Sequence, residues 1–321
     1  MKSKFCNLPR ISARKLLLLI ASFLLGAIIT PAAPLPQQKI PILLDTDIGS
    51  DVDDAFSVAL ILGSPELDLL GVTTVSGDTQ ARARLAAKML WEAGKRDVPV
   101  TAGEPGKPLA IDQTRWAEGF TSPQLLSQNA VEFLKGQFEK RPGEITLVAI
   151  GPLTNVAALL RQDPSVARKI KRIVLMGGAI AHGYGDNPKP VPEYNIYSDA
   201  PAAQIVFAAG VPILMAPLDV TAMLQVSPAD LHRIFTRLTP TTNALALLYF
   251  LWGHETPTLF DPMAVALVID PALCETQELA VEVDSDGLTR AVEGKPPNAR
   301  VGLKTDARRF MEFYLRRVAP E

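Results

Sequence analysis

Apolar and polar positions along the chain repeat with two different periods. Short, nearly continuous apolar runs fall at residues 40–44, 69–75, 98–102, 145–150, 172–176 and 212–216. Their length and β-branched content predict strands, and unbroken apolarity predicts strands buried on both faces. Between them, apolar residues recur at helical spacing over residues 54–62, 80–91, 122–139, 154–161, 200–209 and 243–252. Strand–helix alternation requires crossover connections. It therefore predicts an α/β fold, a mostly parallel central sheet flanked by helices with a Rossmann-like core. Sheets of this kind bind ligands outside the carboxyl ends of their strands, so chemistry is expected just after each strand. Near the C-terminus, residues 279–284 and 288–292 flank Ser285-Asp286-Gly287 and predict a hairpin. Residues 306–318 predict an amphipathic final helix. The Pro- and Gly-containing stretch 183–192 interrupts the pattern and is a candidate lid.

The first residues follow a different rule. Lys2, Lys4, Arg10, Arg14 and Lys15 precede an apolar run at residues 16–29, and Thr30-Pro31-Ala32-Ala33 follows it. A basic start, a short apolar run and small residues are the layout of a secretory signal. Residues 1–33 are thus expected to be a signal and residues 34–321 a single exported domain, periplasmic or secreted, with no membrane contact after cleavage. An uncleaved N-terminal membrane anchor is the alternative, although the run is short for a spanning helix.

Composition narrows the function classes. With 48% hydrophobic and 21% charged residues, the chain is neither disordered nor collagen-like. A formal net charge of −2 excludes a strongly basic nucleic-acid binder. Two cysteines exclude a disulfide scaffold, and Cys274, the one outside the signal, reads as a small buried hydrophobe. Three histidines leave little material for a His-rich zinc site.

The segment Asp45-Thr46-Asp47-Ile48-Gly49-Ser50-Asp51-Val52-Asp53-Asp54 puts five carboxylates directly after the first apolar strand. Like charges at that density repel unless a cation neutralises them. All the side-chain ligands on offer are oxygens, which favours Ca²⁺ or Mg²⁺. The bland reading is a solvated turn whose last aspartates cap a helix. An EF-hand does not fit, because Ser50 and Phe56 occupy the positions that need glycine and glutamate. A D-x-D-x-T phosphatase loop does not fit either, since Gly49 stands at the fifth position. No Walker A or G-x-G-x-x-G motif is present.

With this loop the chain resembles the inosine–uridine-preferring nucleoside hydrolase family. The acidic loop is similar to the family's D-T-D-x-G…D-D signature, with two extra residues before the final pair. The motifs Gly71-Val72-Thr73-Thr74-Val75-Ser76-Gly77-Asp78, Ile150-Gly151-Pro152-Leu153-Thr154-Asn155, Leu175-Met176-Gly177-Gly178, Asn187, Glu193-Tyr194-Asn195 and Asp261-Pro262-Met263-Ala264 follow in order. The resemblance implies Ca²⁺-dependent hydrolysis of the N-glycosidic bond of ribonucleosides. It implies metal ligation by Asp47, Asp54, the Ile150 carbonyl and Asp261, with Asp47 also the general base. It implies substrate contacts from Asp53, Asp78, Asn187, Glu193 and Asn195, and a homo-oligomer, dimer or tetramer. The residue types suit the chemistry: carboxylates stabilise the positive charge that builds on the ribosyl ring. Asp45 reads as a loop organiser, Asn155 as a helix N-terminal contact, and Asp199 as a helix cap.

The base-recognition half departs from the family. Phe260 stands where many members have a histidine, Asp78 stands for an asparagine, and Arg115-Trp116-Ala117-Glu118-Gly119 replaces a histidine-containing motif. His254 and His182 are candidate replacement acids, and Trp116, Tyr184 and Trp252 are candidate stacking residues. These departures leave two alternatives to nucleoside hydrolysis. One is a non-catalytic nucleoside- or ribose-binding protein. The other is a hydrolase of another ribosyl compound with a good leaving group. The preferred base is open at this point.

Overall fold

A computed structural model describes residues 39–321. The expected signal, residues 1–33, lies outside them. The chain opens on β1 (Ile40–Thr46), whose residues from Pro41 onward are all buried. β2 (Leu67–Thr74) and β4 (Thr146–Ala149) pair with it in parallel on either side. β3 (Val100–Ala102) extends the sheet beyond β2, and β5 (Arg172–Met176) and β6 (Ile213–Ala216) extend it beyond β4. The order β3-β2-β1-β4-β5-β6 reverses the direction of winding between β1 and β4. Such a reversal parts the loops above the sheet and opens a crevice there.

Helices cover both faces. On one face α1 (Asp53–Leu62), α2 (Thr79–Glu92), α9 (Pro240–Trp252), α10 (Phe260–Ile269) and α11 (Ala307–Val318) bury one apolar cluster. On the other, α3 (Ala130–Lys140), α4 (Thr154–Gln162) and α6 (Ala200–Ala208) bury a second. Three short helices, α5 (Tyr194–Tyr197), α7 (Leu218–Thr221) and α8 (Pro228–Phe235), complete the set among the described residues. No helix among those residues is long and apolar enough to cross a membrane.

The expected elements form, and the three short helices α5, α7 and α8 and the following differences add to them. The expected helix over residues 122–139 begins only at Ala130, because the Asn129 side chain accepts from Val131 N–H at 2.8 Å and sets the start there. Two strands, β7 (Cys274–Leu279) and β10 (Ala299–Thr305), were not anticipated. β10 pairs in parallel with β6, and β7 closes the edge in antiparallel sense. Their sequences, CETQEL and ARVGLKT, lack the continuous apolarity of central strands. α10 also lacks a periodic signal, because it is buried nearly all round rather than on one stripe. The expected hairpin forms as β8 (Val281–Val283) and β9 (Thr289–Ala291).

α1 carries the last two aspartates of the acidic loop, so its seating matters most. Phe56 is fully buried beneath it, 6.1 Å from the Tyr314 ring, and its carbonyl accepts from the Tyr314 hydroxyl at 3.0 Å. Phe56→Ala should cost about 3–5 kcal/mol by leaving a cavity under α1. A denaturant titration should show a lower midpoint with an unchanged slope.

Candidate active site

The crevice above β1, β4 and β5 contains a cavity of about 350 Å³. Asp47, Ser50 and Asp51 reach it from the loop after β1, Ile150 from the end of β4, and Met176 from the end of β5. Asp53 and Asp54 enter on the first turn of α1, and Asp261 on the first turn of α10. Helix N-termini favour carboxylates, since their first N–H groups lack intrahelical partners. The loop needs its glycine at Gly49, where φ is +115° and a Cβ would lie 2.7 Å from the Ile111 side chain. Gly151 is needed for a different reason: a Cβ there would lie 3.0 Å from Oδ1 of Asp47.

The deep end is a set of carboxylates. Asp47, Asp53, Asp54, Glu193 and Asp261 are each no more than 5% exposed. Ligand oxygens of Asp53, Asp54 and Asp261 lie within 4.8 Å of one another. Burial, and then the charges of their neighbours, pushes all three well above the ordinary carboxylate range. The Asp261 N–H donates to Oδ2 of Asp53 at 3.1 Å, and the Thr46 hydroxyl donates to Asp54. Three buried anions that lack a cation between them are a poor arrangement alone and a good one around a hard dication. Oxygen-only donors make the same point about which metals fit.

Asp47 sits beside this triad and is treated differently. Burial raises its pKa to about 6, while the Arg82 guanidinium pulls it down. Arg82 is fully buried, with Nη2 4.0 Å from Asp47 Oδ2. It also donates to the carbonyls of Asp47, Ile48 (3.0 Å) and Ser76 (2.8 Å) and to Oγ of Ser50 (2.8 Å). One side chain thus pins the acidic loop along its length. Gln113 adds to it by donating to the carbonyls of Ser50 (3.2 Å) and Asp51 (2.8 Å).

Glu193 caps α5, accepting from the N–H groups of Asn195 (3.0 Å), Gly178 (2.9 Å) and Ile196 (3.2 Å). Burial nevertheless lifts its pKa to about 7. The Asn195 amide donates to the carbonyls of Ile150 (3.3 Å) and Met176 (3.2 Å), which joins the ends of β4 and β5. The outer end is apolar and aromatic: Leu109, Tyr184, Tyr194 and Phe260.

Most of the residues expected at the site meet here: Asp47, Asp53, Asp54, Ile150, Glu193, Asn195 and Asp261 line one cavity. The tight triad includes Asp53, expected as a ribose contact, while Asp47 and Ile150, expected as ligands, lie on the adjoining wall. Two expected substrate contacts do not join them. Asp78 is exposed and caps α2, accepting from Ala81 N–H at 2.9 Å. Asn187 folds its own loop, accepting from Lys189 N–H at 3.1 Å and lying outside the cavity lining. Asn155 donates to Asp45 at 2.8 Å and to the Thr74 carbonyl at 3.1 Å, so it braces β1 from behind. Asp45 is buried in that brace with its pKa near 7, raised by burial. Asp199 caps α6 as expected. Trp116 and Trp252 pack against the core, and His182 lines a separate cavity under residues 183–188. Arg82 was missed as a functional residue. Its signal is its register: it shares the buried stripe of α2 with Leu85, Ala86 and Met89, where a charge has no place without a partner.

Fold and site together define an open α/β protein with a crevice cavity whose floor is a cluster of buried carboxylates able to hold a metal. Comparison with known proteins makes this specific. The family model of the inosine-uridine preferring nucleoside hydrolases matches residues 42–312. The pyrimidine-specific ribonucleoside hydrolase RihA of Citrobacter koseri is 36% identical over 314 residues, which cover 88% of this chain and 99% of that protein. RihA of Escherichia coli O8 is 36% identical over 308 residues, covering 86% and 97%. A plant nucleoside hydrolase, PpNRh1, superposes with a TM-score of 0.78 at 27% identity, covering 89% of this chain and 100% of that one. The purine-preferring ribonucleoside hydrolase from Gardnerella vaginalis gives 0.76 at 27%, covering 87% and 98%. The chain belongs to the inosine-uridine preferring nucleoside hydrolase family and is by that membership an N-ribosyl hydrolase.

The carboxylate cluster sets the stability of the metal-free protein. Asp45, Asp47 and Glu193 titrate near 6 to 7 when folded and near 4 when unfolded, so the folded state holds more protons in between. Their contribution is therefore greatest below about pH 4 and is lost as pH rises through about 6 to 7. Thermal scans in chelator should show a higher midpoint at about pH 5.5 than at about pH 8, and added Ca²⁺ should erase most of the difference. Asp53→Asn should stabilise the chelated protein by on the order of 1–2 kcal/mol and weaken its stabilisation by Ca²⁺.

Proposed function

We propose that the protein hydrolyses the N-glycosidic bond of pyrimidine ribonucleosides, releasing free base and ribose, with Ca²⁺ as the metal and Asp47 as general base. The observation that carries the reading is the cavity itself. It combines a buried acidic triad, a separate carboxylate tuned by an arginine, and an aromatic outer end. The pyrimidine preference is supported by the RihA relatives, which are matched over nearly their whole length. Export rests on the basic, then apolar, N-terminal segment.

Asp53, Asp54 and Asp261 would hold the cation, which when bound supplies a template for the ribose diol and an attacking water. Asp47 takes the proton of that water. It is ionised at neutral pH yet more basic than an exposed aspartate, the balance a general base needs. Glu193 and Asn195 have their side chains fixed by backbone partners and are placed to hold ribose hydroxyls. A deoxyribose would leave those groups unpaired, which discriminates strongly. As the base leaves, positive charge on the sugar ring is met by surrounding carboxylates. Among the described residues no Lys, Arg or His lines the cavity. A 5′-phosphate would find no cationic partner in that lining and would meet its carboxylates, which disfavours nucleotides.

Four outcomes test this. The purified protein should release base from uridine or cytidine with Ca²⁺ and lose that activity in chelator; Ca²⁺ binding without base release from any ribonucleoside would leave a binding protein instead. Uridine 5′-monophosphate should not be cleaved. Asp47→Ala should lower kcat by at least about 10³-fold with the fold intact by circular dichroism. In the parent enzyme kcat/KM should fall as pH drops through about 6 or below, because the base must be ionised.

A further inference from the structure

Cleavage of a ribosyl–base bond has two ends, and the carboxylate floor serves only the sugar. The base leaves with the electron pair of the broken bond and needs a hydrogen-bond donor. Phe260, next to the triad residue Asp261, has no proton to offer. The Asn195 amide is committed to two carbonyls. The Ser50 oxygen accepts from the Arg82 guanidinium at 2.8 Å, which ties Ser50 to the acidic loop beside Asp51 rather than to the aromatic end.

Tyr184 is placed differently. Its ring stands edge-on to Phe260, with centroids 5.8 Å apart at 81°, at the outer end of the cavity. It is 43% exposed, whereas the carboxylates below are buried, so it borders the space above the sugar site. Its oxygen accepts from Tyr194 N–H at 2.9 Å, which fixes its position. The hydroxyl proton is directed to no acceptor among the described residues. The loop carrying it is pinned from below: the buried Asp219 carboxylate accepts from the N–H groups of Ile180 (2.8 Å), Ala181 (2.7 Å) and His182 (3.3 Å). A short turn, Gly183 N–H to the Asn187 carbonyl at 2.9 Å, shapes the loop tip.

We propose that the Tyr184 hydroxyl is the hydrogen-bond donor to the departing base, in the place that Phe260 leaves without one. The inference rests on the ribonucleoside-hydrolase reading and deepens it. In the step, the C1′–N bond breaks and its electron pair goes to the base. The water oxygen bonds C1′, and its proton passes to Asp47. Tyr184 donates a hydrogen bond to the developing anion, and the base takes its proton from solvent on release. Tyr184 keeps its own proton throughout: burial, and then the charges of Glu193, Asp53 and Asp261, hold its ionisation well above the ordinary tyrosine range. A donor that does not transfer its proton helps poor leaving groups most and good ones least.

Tyr184→Phe keeps the ring on Phe260 and removes only the hydroxyl. The full-length protein with Ca²⁺ is assayed on uridine and on 4-nitrophenyl β-D-ribofuranoside, whose leaving group needs no donor. The variant should lose roughly 10- to 100-fold in kcat/KM on uridine and stay within about threefold on the aryl riboside. Equal losses on both would assign Tyr184 to holding the loop through Tyr194 and would overturn the proposal, as would an unchanged rate on uridine. A second comparison, 5-fluorouridine against uridine, should show a larger rate ratio in the variant than in the parent, and an unchanged ratio would also count against it. If the parent cleaves the aryl riboside but no ribonucleoside, the substrate reading fails first and Tyr184 with it. Thermal unfolding of the variant should match the parent.

Discussion

Mutual repulsion among buried carboxylates is the constraint around which the rest of the structure is arranged. Asp47, Asp53, Asp54, Glu193 and Asp261 are withdrawn from water into one cavity. Burial raises the pKa of each, least for Asp47, which Arg82 pulls back down. The fold meets the conflict with three devices. Two helix N-termini face the cluster, backbone N–H groups hold Glu193, and Arg82 is buried against Asp47. None of these places a full positive charge inside the triad of Asp53, Asp54 and Asp261. That leaves the triad able to take its positive charge from a metal ion. Metal affinity is then a consequence of what the protein leaves unneutralised, and the folded state is most comfortable when that ion is present.

The sheet topology makes such crowding possible. β1 and β4 are neighbours that lead away in opposite directions, so the segments after them part. The acidic loop enters from one side, Ile150 and Met176 from the other, and α10 arrives from far along the chain to add Asp261. Close packing behind the loop is equally necessary. Asn155 and Thr73 hold Asp45, and Asp45 fixes the end of β1 from which Asp47 projects. A slip of one residue in β1 would turn Asp45 out of its brace and bring a neighbouring residue into the place of Asp47, since side chains alternate along a strand.

Much of this was legible in the chain before folding was considered, and the reason differs by element. The six central parallel strands announce themselves, because burial on both faces forces continuous apolar runs. β7 and β10 sit toward one edge, where polar side chains are tolerated, and their signal is weak. α10 is silent because complete burial erases periodicity. The carboxylates of the floor were readable because five of them follow one apolar strand. Asp78 and Asn187 were read as substrate contacts from motif position alone. In three dimensions each makes a local contact, a helix cap for Asp78 and a turn for Asn187. Arg82 was hidden for the opposite reason, since its partners in the acidic loop lie some 32 to 35 residues away in the chain.

The acidic floor and the aromatic end of the cavity are built from parts of the chain under different physical demands. The floor is bound to strand ends and helix starts, where a change of one residue disturbs charge balance, metal fit and strand register together. The outer end is built from loop and rim residues, Leu109, Tyr184, Tyr194 and Phe260, that share no such coupling. Loops tolerate substitution and insertion far better than the elements they join. A family member can therefore alter what it offers the base while keeping the ribosyl chemistry beneath it. Phe260 and Asp261 are adjacent in sequence and lie on opposite sides of that division. The first turn of α10 presents one to the aromatic end and the other to the carboxylate cluster, so the boundary between the two regions falls within a single helical turn.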